Sequence, residues 1–240
     1  MTEGLKPFQL PGSWVDNFVM SFVASGHEGA ISVKEDDSRF VFKRVEQKSD
    51  ELQAYETLPD ELKPFCPKYF GSHKTEDEAF LMLQNLVYGM KNPHVMDIKM
   101  GTRTFLETEV LNEKRRMDLL AKMVKIDPNE PTEEEKQLGI TKLRYMQYRE
   151  KLSTSQKLGF RIDAIKIHDE ERPSLSQEHA KNICDVEGVH DALNVFLCAR
   201  EDVKEAMLTQ LKELRNVLET SEWFMKHEII GSSILFVFDK

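Results

Sequence analysis

Pro93-His94-Val95-Met96-Asp97-Ile98-Lys99-Met100-Gly101 sets two charged side chains into an otherwise apolar run. On an extended strand alternate residues share a face, so Asp97 and Lys99 point the same way. Pro93 opens the run and Gly101 closes it, as strand punctuation does. A carboxylate beside an ammonium suits transfer of a phosphoryl group to a hydroxyl: the acid orients the hydroxyl and the base neutralises the phosphate. The same residues also read as a surface ion pair on a half-buried strand, a common arrangement that contributes little to stability.

Working outward, the 240 residues allow one large domain or two lobes. With 40% hydrophobic and 31% charged residues the chain reads as soluble and globular. It holds no apolar run long enough for a membrane span, and no basic start followed by an apolar core. Cys66, Cys184 and Cys198 are scattered, which fits reduced thiols and a cytoplasmic location. The histidines show no zinc-type spacing. A net charge of -9 argues against nucleic-acid binding. A polyanionic ligand then requires a local basic patch that overrides the global field.

Further elements follow from pattern. Gly26-His27-Glu28-Gly29 predicts a turn between strands, the second running from Arg39 to Val45 around Lys43. Ser49-Asp50-Glu51 predicts the start of a helix reaching about Leu58. Strands are expected at residues 68–72 and 80–86, and at 160–166 where Phe160 to Lys166 alternates. Leu106, Val110, Leu111, Leu119, Leu120 and Val124 predict one helical stripe that also carries Lys114, Arg115, Arg116, Lys122 and Lys125. Thr132 and Glu135 form a capping box, and a further helix is expected from Lys142 to Lys151. Residues 195–218 predict a long amphipathic helix in the C-terminal core, and residues 223–239 two strands joined near Gly231.

The spacing Pro-x-x-x-Asp-x-Lys-x-Gly over residues 93–101 resembles the signature of the inositol polyphosphate kinase family. Thr132-Glu133-Glu134-Glu135-Lys136, Arg144-Tyr145-Met146-Gln147-Tyr148-Arg149, Leu158-Gly159-Phe160-Arg161-Ile162 and His227-Glu228-Ile229-Ile230-Gly231-Ser232-Ser233 are similar, in order and spacing, to the trisphosphate 3-kinases of that family. The resemblance runs from about residue 26 to the end. It implies an α+β, two-lobed, protein-kinase-like fold: a lead-in over 1–25, a nucleotide-binding N-lobe over 26–92, and a C-lobe over 93–240 with a helical substrate-binding lid at about 105–151. It also implies an ATP- and Mg²⁺-dependent kinase of calcium signalling. Such an enzyme converts inositol 1,4,5-trisphosphate to the 1,3,4,5-tetrakisphosphate.

Residue by residue, the resemblance implies that Asp97 and Lys99 are catalytic. Lys43, Gln84, Asn85, Leu86, Asp97 and Lys166 would meet ATP, with residues 84–86 offering backbone groups to the adenine. Lys99, Arg116, Leu119, Lys122, Lys142, Arg144, Tyr145 and Arg149 would meet the inositol phosphate, and Ser233 a metal ion. Read without the resemblance, the basic lid residues are a solvated helix face. The family's Ile-Asp-Phe metal element would come after Ser232-Ser233-Ile234-Leu235, and Asp239 lies too early to be its aspartate, so the C-lobe is expected to be incomplete. Calmodulin control in relatives sits in an N-terminal region, and residues 1–25 are too short to supply it. A broader inositol polyphosphate multikinase, or an inositol-phosphate binder without turnover, are the alternatives.

Overall fold

A computed structural model of the protein describes residues 31–34, 37–45, 49–75, 79–167, 180 and 182–240. The expected lead-in over 1–25 and the turn at Gly26 to Gly29 lie outside the described residues. Strands β1 (Ile31–Lys34), β2 (Asp37–Val45), β3 (Tyr69–Lys74) and β4 (Ala79–Gln84) form an antiparallel sheet in the order β1-β2-β4-β3. Along β4 buried and half-buried residues alternate, so Ala79, Leu81 and Leu83 share one face. Helix α1 (Asp50–Thr57) contributes Leu52 to the same cluster, with Val41, Val45, Tyr55 and Tyr69 packed around it. Ser49 starts this helix as expected, its hydroxyl accepting from the Glu51 amide at 3.1 Å.

A second sheet has the order β8-β5-β9, with β5 (Pro93–Met100) between β8 (Phe160–Lys166) and β9 (Ser233–Asp239). From Pro93 to Ile98 every residue of β5 is buried. A central strand covered on both faces reads as a near-continuous apolar run. The half-buried strand of the alternative reading is therefore corrected: Asp97 is carried into the interior.

The expected single helical stripe after Gly101 is broken into pieces. Residues Glu107–Val110 make a short turn of helix, α2, followed by the two-residue strand β6 (Arg115–Arg116) and only then by α3 (Met117–Ile126). Leu106, Val110 and Leu111 stay exposed, whereas Leu119, Leu120 and Met123 are buried. Next come α4 (Glu133–Leu138), β7 (Ile140–Thr141), α5 (Lys142–Leu152) and α6 (Ser155–Leu158). The Thr132 capping box is present in full. Leu119, Leu120 and Met123 pack with Ile140 and Tyr148, giving this region a core of its own.

Pairing of β6 with β7 sets Arg116 opposite Ile140. Gly139, just before β7, has φ +83 and ψ 178, a conformation open almost only to glycine. A Cβ there would lie 2.9 Å from the Arg116 carbonyl carbon and 3.0 Å from its oxygen. Glycine is thus required twice, by torsion and by contact.

Helix α7 (Val186–Leu197) packs Val189, Ala192 and Phe196 inward, and its N-terminal Asp185 accepts from the Gly188 amide at 2.8 Å. Cys198 and Ala199 then take left-handed backbone, so the expected continuous helix over 195–218 is two helices, α7 and α8 (Glu201–Thr220). None of the α8 residues is fully buried. A short helix, α9 (Glu222–Met225), and the single strand β9 replace the two strands expected over 223–239. The chain divides into two compact units. One comprises the described residues as far as Val95 with Arg200–His227 and Val237–Lys240; the other comprises Met96–Ala199 and Glu228–Phe236. Helix α8 therefore belongs with the first unit, not with the expected C-terminal core.

Substituting Gly139→Ala is expected to cost about 1–3 kcal/mol of stability. A thermal melt unchanged from wild type would refute the double requirement.

Candidate functional site

Strand β5 brings Asp97 and Lys99 to one side of the second sheet. Asp97 is only 7% exposed and Lys99 is half-buried. The Lys99 ammonium donates to the Gly231 carbonyl at 3.0 Å, and the Met100 amide donates to the Ser232 carbonyl at 2.9 Å. The Gly231 turn thus grips the end of β5 twice, by side chain and by backbone. Across the other edge, the Gly101 amide donates to the Gly159 carbonyl at 2.7 Å, just ahead of β8.

Beyond Gly101 the chain is held by a buried carboxylate. Glu150 on α5 accepts from the Thr104 amide at 2.6 Å and from the Thr104 hydroxyl at 2.8 Å. Its neighbour Arg149 is 4% exposed, and burial pulls its guanidinium below the ordinary value while Tyr145 and Asp163 oppose the shift. Asp163 also pairs with the buried Arg161 at 3.2 Å, and Arg161 donates to the Ser155 hydroxyl at 3.2 Å. Burial raises the Tyr145 phenol above its usual range.

The other lid residues fare differently. Arg116 lies on β6 rather than on a helix and pairs with Asp118 at 2.6 Å. Lys142 pairs with Glu109. Arg144 bridges Glu130 at 2.8 Å and Glu135 at 2.9 Å, fastening the start of α4 to α5. Lys122 is exposed and makes no ion pair among the described residues. Leu119, 5% exposed, packs in the lid core.

In the first unit, Lys43 pairs with Glu51 of α1 at 2.6 Å. Strand register explains this. Lys43 lies opposite Leu81, and Val41 and Val45 opposite Leu83 and Ala79, so Lys43 shares the face on which α1 packs. A strand lysine held by a helix glutamate is the arrangement that protein kinases use to place a phosphate-contacting lysine. After β4, the Gln84 and Asn85 amides are committed to Lys68 and Arg39 carbonyls at 2.9 and 2.8 Å. Leu86 has no backbone partner among the described residues. Lys166, half-buried on β8, has its ammonium pulled below the ordinary value by burial. Ser233 is exposed at the start of β9. Among the described residues no three His, Cys, Asp or Glu side chains converge as a metal site.

The family model of the inositol polyphosphate kinases matches residues 80–240. The chain belongs to this family. It is 41% identical over 225 residues to an inositol-trisphosphate 3-kinase homolog of Caenorhabditis elegans, covering 90% of this chain and 44% of that protein. It is 37% identical over 243 residues to human inositol-trisphosphate 3-kinase A, covering 98% of this chain and 49% of that protein. The chain thus spans about half or less of the length of these two relatives. Among solved structures, the inositol phosphate multikinase of S. cerevisiae in complex with ADP and Mn²⁺ superposes with a TM-score of 0.57 at 20% identity, over 82% of this chain and 74% of that one. That likeness supports the fold, an α+β kinase-like architecture of two units.

For this inositol polyphosphate kinase family member, the residues that sequence reasoning passed over are acidic. Glu51 was legible only as part of a helix start, although it stands eight residues after Lys43. Glu109, Glu150 and Asp163 carry no local signal, because their partners are set by tertiary register. Substituting Glu150→Ala would leave the Thr104 donors buried without an acceptor. A stability loss of about 2–3 kcal/mol is expected by chemical denaturation, and a loss under about 0.5 kcal/mol would show that the contact is dispensable.

Proposed function

We propose that this chain carries the catalytic region of an inositol-trisphosphate 3-kinase. The observation that carries the reading is the pairing, on one buried strand, of Asp97 with a Lys99 ammonium aimed by the Gly231 carbonyl, in a unit that also holds the basic lid. The relatives named inositol-trisphosphate 3-kinase supply the substrate class.

In this reading Asp97 accepts the proton of the 3-hydroxyl of inositol 1,4,5-trisphosphate as its oxygen bonds the γ-phosphorus of ATP. The bond to the ADP oxygen breaks, and Lys99 neutralises charge on the phosphoryl oxygens in flight. Lys43, steadied by Glu51, and Lys166 serve the ATP phosphates. With the Gln84 and Asn85 amides already bonded, the carbonyls of residues 84–86 and the Leu86 amide serve the adenine. Arg116, Lys122, Lys142, Tyr145 and Arg149 read the substrate phosphates. Each charge-assisted contact contributes about 1.5–3 kcal/mol, so a few of them hold a trisphosphate in roughly the micromolar range after ordering costs. Arg144, shared between two carboxylates, supports the lid frame.

The described residues do not form a protein cage for a metal. Mg²⁺ would arrive with ATP and neutralise phosphate charge, and the exposed Ser233 hydroxyl is the group of this chain that would help to hold it. No helix among the described residues is long and apolar enough to cross a membrane. The free thiols Cys66, Cys184 and Cys198 support a reducing, cytoplasmic setting.

The test is ADP release with Mg²⁺-ATP and inositol 1,4,5-trisphosphate, with Lys99→Ala alongside. Wild-type turnover and a loss of at least about a hundredfold in the variant, at an unchanged melting temperature, are expected. Equal rates in the two proteins would remove Lys99 from the chemistry. Binding without turnover by the wild type would establish a binder in place of a kinase.

A further inference from the structure

Two of the lid cations assigned to substrate phosphates already hold a carboxylate of their own unit: Arg116 holds Asp118, and Lys142 holds Glu109. The second pair is the more informative. The Glu109 side chain is 13% exposed and that of Lys142 is 42% exposed. The acid is withdrawn behind a base that faces water. A ligand reaching Lys142 from solvent meets an ammonium whose charge is already matched, and it brings its phosphate toward a second anion. Glu109 has no such effect on Lys122, which is exposed and makes no ion pair among the described residues.

We propose that Glu109 is an affinity gate of the lid, its carboxylate competing with a substrate phosphate for the Lys142 ammonium. The inference rests on the trisphosphate reading given above. Binding is then an exchange of anions at Lys142, and removing the resident carboxylate tightens binding. A positioning role for Glu109 predicts the opposite sign, because a lysine released from its guide binds less well.

The experiment is a calorimetric titration of inositol 1,4,5-trisphosphate into wild type, Glu109→Gln, Lys142→Ala and the double variant. Glu113→Gln, an exposed glutamate of the following loop, controls for net charge. A partly exposed ion pair is worth up to about 1 kcal/mol, so Glu109→Gln is expected to bind roughly two- to fivefold tighter. The gain should vanish in the Lys142→Ala background, as coupling between the two side chains requires. Glu113→Gln should bind like wild type. Glu109→Ala serves the same comparison, with circular dichroism confirming the fold of each variant. Unchanged or weaker binding by Glu109→Gln overturns the gate, as does an equal gain from Glu113→Gln or a gain that persists without Lys142. Absence of trisphosphate binding by the wild type would overturn the substrate reading and the gate together, whereas wild-type binding unaltered by the substitution overturns the gate alone.

Discussion

A buried carboxylate is costly unless donors converge on it, and Glu150 is kept in the interior by donors from a distant loop. Thr104 supplies both its amide and its hydroxyl to one oxygen of that side chain. The residues that leave β5 are thereby tied to the helix that carries Tyr145 and Arg149. Strand β5 and helix α5 share a polar node, so the spacing between Asp97 and Lys99 on one side and Tyr145 and Arg149 on the other is not left to loop flexibility. Arg161, anchored by Asp163 and Ser155, gives the neighbouring interior a second such node.

Much of this was open to sequence reasoning where local chemistry decides. Ser49 and Thr132 had to cap helices because their hydroxyls reach free amides, and Phe160–Lys166 forms the expected strand, although burial along it does not alternate. Asp97 and Lys99 were legible as a pair because their spacing puts them on one face. What escaped was set by contacts far along the chain. Periodicity runs through Cys198 and Ala199 without a Gly or Pro, yet left-handed backbone there ends the helix. Arg116 looked helical, and only its pairing with Ile140 makes it a strand residue. Leu119, the third residue of α3, is drawn into the lid core beside Met123 and Tyr148.

The charges teach a related lesson. The chain carries a net charge of -9, and a basic lid seemed to be an exception to that field. Its cations are instead interleaved with acids, with Arg144 between Glu130 and Glu135 and Arg116 against Asp118. Groups that are paired in this way hold their geometry without presenting a bare positive surface.

The bond from Lys99 to the Gly231 carbonyl spans 132 positions of the chain. Closing so long a loop carries an entropic cost that only the assembled sheet can offset. The Lys99 ammonium is aimed only once the Gly231 turn has met β5, although its strand lies near the middle of the sequence. During synthesis the motif emerges well before the turn that orients it. Until that turn docks, Lys99 lacks the carbonyl that holds its ammonium, however early its own strand has been made.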